Sequence, residues 1–390
     1  MTNNPQFPQQ AGANFAPTVV IKPSGHSSAI KIVLGITAAL IALFLGLLVL
    51  LLIGFETGPV ALLVGMVCAT IPVPIYVTLV LWIDRYESEP LWMLCTAFFW
   101  GALVAVFIAF IFNTVGGLAV AALTQSDQAG GAASAVIFAP IVEESSKALI
   151  LFILFFWKKD EFDGVIDGIV YAALVALGFA MTENFQYYAK AVLHGALPGT
   201  FIIRGFFAPF SHPLFTSMTG IGLGLSRQTK NQALKFIAPV VGLLVAMTMH
   251  AIWNGSAVIG GLLGFILAYV VIMVPAFLIL LVVIIFSLRR EGRVVREFLL
   301  PEFQGGQLNQ QEYDQLCSIY RRMGASFSAL TSGGMKKWRA CMQFNQLGSE
   351  LAFHRSRVAR GIFKSAQAAH ERELGYLQML QDLQQRLRTT

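Results

Sequence analysis

Ala139–Ile150 reads APIVEESSKALI, between SAVIF on one side and LFILFFW on the other. Two adjacent carboxylates and a lysine stand in the middle of a segment otherwise suited to lipid. The surrounding chain says the same about its solvent. It is 56% hydrophobic and 12% charged over 390 residues, too apolar for a soluble enzyme of this length. Eight apolar runs are long enough to span a bilayer at about 20 residues each. They fall near 32–54, 58–83, 91–124, 132–157, 164–189, 204–226, 235–258 and 261–288. Runs of this length satisfy their backbone groups in lipid only as helices. The third is expected to tilt or break at Gly116-Gly117, and the sixth is interrupted by Pro209, His212 and Pro213. The expected fold class is all-α: a polytopic membrane bundle of about eight helices, followed by a small helical tail.

Charge orients the bundle. With the N-terminus inside, Lys22, Lys31, Arg85, Lys158, Lys159, Arg227, Lys230, Lys235 and the Arg289–Arg296 cluster share one side, and Lys190 and Arg204 the other. Positive residues stay cytoplasmic, so both termini are expected in the cytoplasm of a multi-pass cell-membrane protein. Residues 1–28, rich in Gln, Asn, Pro and Gly, read as a disordered cytoplasmic lead and not as a cleavable signal. Residues 29–290 form the expected transmembrane domain and 291–390 a basic helical one. From Ser287 onward there are 16 Lys/Arg against 9 Asp/Glu, which suits an anionic membrane surface better than nucleic acid. Within that tail, Pro301 and Gly305-Gly306 are expected breaks, and Gln310–Met323 and Glu350–Leu387 expected helices. Cys68, Cys95, Cys317 and Cys341 form no C-x-x-C pair and imply neither a disulfide framework nor a zinc knuckle.

Ionisable groups inside spans cost roughly 2.5–3.5 kcal/mol each on insertion scales, so each needs a partner or water. Here they are Glu143, Glu144, Lys147, Glu183, His212 and His250. Helical spacing puts Lys147 on one face with both Glu143 and Glu144. One lysine neutralises one carboxylate; the other must be solvated, protonated, paired with a histidine or bound to a metal. Counted along antiparallel helices, Glu143, Glu183, His212 and His250 fall roughly 9–17 Å below the outer surface, in one layer. Gly178 precedes F-x-x-x-E-N (Phe179–Asn184) and permits close helix approach. In H-x-x-x-N, His250 and Asn254 share a helical face, so Asn254 either orients the imidazole or helps hold an oxyanion. Asp163 and Asp167 suit a helix N-terminus, and Asp84–Pro90 (DRYESEP) is a charged inner loop that braces the bundle or forms a solvated turn. The chain contains no Walker loop, H-E-x-x-H or serine-protease signature.

E-E-x-x-K at 143–147, F-x-x-x-E at 179–183, the histidine of FSHPLFTSMTGIGLG and H-x-x-x-N at 250–254, in this order on separate helices, resemble the PrsW family of intramembrane proteases. DRYESEP and the Asp-Gly pairs at 163–164 and 167–168 add to the likeness, which covers about 80–290. That family is similar in fold to the CAAX prenyl protease (Abi) group and to the Aph-1 subunit of gamma-secretase. The resemblance implies that Glu143 and Glu144 are the central catalytic pair and that Glu183, His212 and His250 complete the site. It also implies cleavage of a membrane-anchored substrate such as an anti-sigma factor, near the outer face, under the common label of metalloprotease.

The expected reaction is water-mediated peptide hydrolysis of a single-span membrane protein. One of Glu143 and Glu144 is the general base, and Lys147 holds the other ionised. His212, His250 and Asn254 polarise the carbonyl, or the two histidines with Glu183 bind a divalent metal. Cofactors are therefore none or one such ion, zinc by ligand type. The lack of an i, i+4 histidine pair favours the metal-free form. No nucleic-acid partner is expected, and the sequence does not address oligomeric state. A proton- or ion-coupled transporter, or a silent Aph-1-like scaffold, is the alternative offered by the same residues.

Overall fold

The computed structural model describes residues 25–159, 161–361 and 365–389. The chain divides into two compact units. One is residues 1–41, whose described part, Gly25–Ile41, is the beginning of α1 (Gly25–Thr57); the other is residues 42–390. The expected lead lies outside the described residues except for its last four positions, which belong to α1.

The regular elements among the second unit's described residues are all helices. A turn at Ile71-Pro72 splits one long apolar segment into α2 (Pro59–Thr70) and α3 (Val73–Ile83). Next come α4 (Leu91–Phe99), a π-helical stretch at Trp100–Ala105, and α5 (Val106–Thr124). The irregularity of this segment thus falls at 100–105, not at the expected Gly116-Gly117. Those glycines stay helical because they serve packing: a Cβ on Gly116 would lie 2.6 Å from the Phe138 ring. The short α6 (Asp127–Ala133) leads through a second π-helical stretch into α7 (Ala139–Trp157), the helix of the quoted stretch. Helix α8 (Val165–Leu193) is followed by α9 (Leu197–Ile202) and α10 (Ser211–Gln228). Then α11 (Gln232–Ala268) is broken by non-helical backbone at Gly261, and α12 (Val274–Phe298) completes the apolar part.

Among the described residues, five segments are long and apolar enough to cross a membrane: Ile32–Thr57, Pro59–Ile83, Leu91–Thr124, Val165–Leu193 and Gln232–Phe298. The described residues form helices and no strand, and the chain is a multi-pass membrane protein. The segment ending in α7 is not among the five; it carries Glu143, Glu144 and Lys147.

Helix α8 organises the bundle. It is buried along most of its length, and its neighbours approach at backbone distance where glycine removes the side chain. A Cβ on Gly178 would lie 2.0 Å from Phe98 O, and one on Gly168 would lie 2.1 Å from Gly220 O. Such contacts let helices associate in lipid, where the hydrophobic effect does not drive them together. At its N-terminus, Asp167 Oδ2 accepts from the backbone of Asp163 (2.8 Å) and Gly164 (2.7 Å), so Asp167 acts as a cap.

The tail comprises α13 (Leu300–Gln304), α14 (Gln310–Leu316), α15 (Ile319–Ala359) and α16 (Ala366–Thr389). Pro301 sits in the first turn of α13, where its missing N–H costs nothing. The helix expected over 310–323 is interrupted at Cys317-Ser318. There the Arg322 guanidinium takes the Leu316 carbonyl at 3.0 and 2.7 Å, replacing a helical amide partner. The helix expected over 350–387 ends instead at Arg360-Gly361, with Gly361 at φ +73°. The tail docks on DRYESEP: Arg357 pairs with Glu87, Tyr86 Oη donates to Cys317 O (3.1 Å), and Arg322 donates to Arg85 O (3.1 Å). That loop therefore braces the bundle. Burial pushes the Glu87 carboxyl up to about 8 despite its arginine partner.

Alanine at Gly178 or Gly168 should lower thermal stability in detergent, by about 1–3 kcal/mol from overpacking. Gly199→Ala, with open space around the new methyl, should be neutral or slightly stabilising. Equal unfolding temperatures for all three variants would contradict the packing described for α8.

Candidate active site

Helices α7, α8, α10 and α11 bring the quoted stretch together with the other intramembrane polar residues. Lys147 lies at the centre and is wholly buried. Its Nζ donates to Glu144 Oε1 at 2.9 Å and to His212 Nδ1 at 3.0 Å, stands 3.5 Å from Glu143 Oε2, and rests 4.0 Å above the Phe179 ring. One lysine thus serves both carboxylates, a sharing that helical spacing permits and burial enforces.

The two glutamates occupy different environments. Glu144 is fully enclosed, and its oxygens are saturated by Lys147, by Thr216 Oγ1 (2.8 Å) and by His250 Nδ1 (3.1 Å). Glu143 lines a cavity of about 540 Å³, and its Oε1 accepts from Asn113 Nδ2 at 3.2 Å. Its Oε2 is buried without a hydrogen-bond donor, 3.9 Å from His250 Nε2. Of the pair, Glu143 faces open space, and Glu144 stands behind it as a supporting anion.

The histidines share the cavity wall. Their rings meet edge to face with centroids 5.1 Å apart, and Phe215 stacks on His250 at 5.2 Å. Partners set the tautomers. His250 donates from Nδ1 to Glu144, which leaves the Nε2 lone pair turned toward Glu143 Oε2. His212 accepts from Lys147 at Nδ1 and offers Nε2–H to Glu183 Oε2 at 3.1 Å. Glu183 is also ion-paired with Arg204, which stands 3.7 Å over the Tyr187 ring and bonds Asn184. Asn254 lines the cavity, but its amide donates to Ala135 O (2.8 Å); it does not orient an imidazole.

All seven residues singled out in the sequence therefore gather in or against one cavity. Sequence reasoning missed Arg204, Asn113 and Thr216. Arg204 carried a signal, as an arginine at the edge of an apolar run, and so did Asn113, as an amide within one; Thr216 carried none.

One ligand set emerges. Donor atoms of Glu143, His212 and His250 all lie within 4.8 Å of one another. The carboxylate in that set is Glu143, whereas Glu183 pairs with Arg204 and His212. A carboxylate with two imidazoles is a donor set for a catalytic divalent ion. The unsatisfied Oε2 of Glu143 and the free Nε2 of His250, oriented by Glu144, fit such an ion in the carboxylate–histidine–metal manner. His212 would join by giving up one of its present partners.

The geometry agrees with the comparisons. A model of the PrsW family of intramembrane metalloproteases matches residues 89–280, which span every residue of the cluster. Among curated proteins, the chain is 33% identical over 144 residues to a protease PrsW of Geobacillus kaustophilus, covering 37% of this chain and 58% of that protein. It is 27% identical over 208 residues to protease PrsW of Oceanobacillus iheyensis, covering 52% of this chain and 85% of the relative. With protease PrsW of Bacillus subtilis it shares 30% identity over 175 residues, 44% of this chain and 71% of the relative. No solved structure matches the chain. With a helical membrane bundle, ionisable side chains of four helices converging on one site, and these matches over the same segment, the chain belongs to the PrsW family of intramembrane metalloproteases.

Proposed function

We propose that this chain is an intramembrane peptidase in which Glu143 activates water against a peptide bond entering the cavity between α7, α8, α10 and α11. The observation that carries this reading is the inequality of the two glutamates. Glu144 spends its oxygens on Lys147, Thr216 and His250, while Glu143 keeps Oε2 free at the cavity wall.

In the proposed step the water oxygen bonds to the scissile carbonyl carbon and its proton passes to Glu143 Oε2. Lys147 lies 3.5 Å from that oxygen and limits the cost of the charge it carries beforehand. The carbonyl oxygen becomes an oxyanion, met by the second amide hydrogen of Asn254, whose first is committed to Ala135 O; the ring N–H of His250 is committed to Glu144 and that of His212 to Glu183. Glu143 then returns the proton to the amide nitrogen as the C–N bond breaks, and carboxylic acid and amine products leave. Glu183 and Arg204 hold His212 in place from behind.

A metal-assisted form is favoured by the Glu143, His212, His250 set and by the family description. An ion bound there would supply Lewis-acid polarisation and a more acidic water; zinc suits the donors. A specific contact favours the metal-free form: the Lys147 ammonium already stands among the same donors, 3.0 Å from His212 Nδ1.

The proposed topology has eight crossings, made by α1, α2–α3, α4–α5, α6–α7, α8, α9–α10, α11 as far as Gly261, and the segment from there through α12. The transmembrane domain is proposed at 29–290 and the cytoplasmic tail at 291–390, with both termini inside by the Lys/Arg asymmetry. The cavity then opens in the outer half of the membrane. This suits a single-span substrate cut near the outer face, and the family resemblance suggests an anti-sigma factor.

Glu143→Gln should lower cleavage of a reconstituted single-span substrate by about 10²–10⁴-fold with the fold retained. Glu144→Gln should lower both activity and thermal stability, because Lys147 would lose its closest anion. A Glu143→Gln variant that cleaves at the wild-type rate would remove Glu143 from the chemistry. Elemental analysis of active protein separates the two forms: near-stoichiometric divalent metal with loss of cleavage on chelation assigns the metal, and full activity under chelation assigns the glutamate-only form. Reporter fusions after Arg296 and within 190–203 should lie on opposite sides of the membrane; the same side for both would refute the eight-crossing topology.

A further inference from the structure

The start of α15 lies at the edge of the bundle. Arg322 is buried there, donating to Arg85 O (3.1 Å) and Ser349 Oγ (2.6 Å) and standing 4.4 Å over the Tyr86 ring. A girdle of aromatic rings and cations marks the same edge. Arg85 stands 5.0 Å over Trp82, and Lys158 stands 5.0 Å over both Trp92 and Trp157. Tryptophans with adjacent Lys or Arg are what a lipid–water boundary selects. The first turns of α15 therefore begin at the level of the membrane surface.

From there Ile319–Gly333 runs as one rod, roughly 22 Å long at 1.5 Å per residue. It ends where Gly334, at φ +65°, breaks the helix. The rod has three faces. At about 100° per residue, Arg322, Ser326 and Ala329 share one face, and all three are buried against the protein. Tyr320, Met323, Phe327 and Leu330 lie about 120° further round, and all four are exposed, Tyr320 by 85% and Phe327 by 69%. Arg321, Ser328 and Ser332 form the third, polar face. Four large apolar side chains in register have no role on a surface facing water.

We propose that Ile319–Gly333 lies in the lipid–water interface of the membrane that holds the bundle, with its apolar stripe in the headgroup–acyl boundary. Charge selects lipid over a protein partner. Between Asp314 and Glu350 the chain has no Asp or Glu; of its cations, Arg321 is paired with Asp314 (3.0 Å) and Arg322 is buried, and Lys336, Lys337 and Arg339 follow directly on the end of the rod. An amphipathic rod that carries no Asp or Glu and leads into a cluster of three cations matches an anionic leaflet. The rod is joined to DRYESEP through Arg322, which donates to Arg85 O and stands over the Tyr86 ring, so the bilayer surface becomes a support for the loop between the second and third apolar segments. The inference needs only the membrane character of the chain and stands apart from its catalytic chemistry.

The test uses full-length protein in vesicles of phosphatidylcholine and phosphatidylglycerol, with acyl chains brominated in one set. Phe327→Trp and Tyr320→Trp place probes on the stripe, and Ser328→Trp places one on the polar face; each is read as fluorescence added over wild type. Brominated chains should quench both stripe probes at least twofold and leave Ser328→Trp nearly unchanged, while aqueous acrylamide should do the reverse. Stripe probes as open to acrylamide as Ser328→Trp would overturn the proposal. Stripe probes sheltered from both quenchers would also overturn it, and would mean that a second copy or a protein partner covers the stripe.

Discussion

The fold of the site depends on one buried ammonium. Lys147 sits where α7, α8, α10 and α11 converge, and it is in reach of Glu143, Glu144, His212 and the Phe179 ring. A cation removed from water costs several kcal/mol unless its surroundings replace the lost hydration. Here the replacement comes from α7 itself and from α8 and α10, so the helices must assemble before the charge is tolerable. The polar cluster thereby fixes which helices meet and at what depth, which apolar packing in lipid leaves loosely specified.

The same constraint separates the two carboxylates. Adjacent residues on a helix point about 100° apart, so only one of them can turn fully into the packed interior. Glu144 does so and is saturated by three helices. Glu143 points to the cavity and shares the ammonium from a longer distance. The outcome is one structural anion and one with an unsatisfied oxygen, next to an imidazole whose free nitrogen is oriented by the structural anion. The ionisable groups thus converge on a single cavity and do not line a path across the bundle, which favours the peptidase over the transporter that the same residue types suggested.

The far edge of the bundle is governed by a second, more polar junction. Arg322 and Arg357 of α15, and Arg360 just past its end, reach Arg85 O, Glu87 and Asp163 on two loops of the apolar part. In this way the tail is locked to the membrane bundle by charge-assisted hydrogen bonds to side chains and backbone.

Much was legible in the sequence. Runs of apolar residues dictate membrane helices because lipid offers the backbone no partners, and EESSK inside such a run demands company because lipid offers charge none. Those two rules sufficed to name Glu143, Glu144, Lys147, Glu183, His212 and His250, and Asn254 followed from its place one helical turn from His250. Tertiary structure decided what each residue does with its neighbours. It turned Glu144 inward and Glu143 outward, put Glu143 and not Glu183 into the donor set, and brought in Arg204, Asn113 and Thr216. It also moved the break in the 91–124 segment to 100–105 and split the tail helices at Cys317-Ser318 and Gly361. The reason is the range of the interactions. Burial in lipid acts residue by residue and is written in composition. The orientation of a carboxylate, or the capture of the Leu316 carbonyl by Arg322, depends on atoms that meet only after the helices have packed.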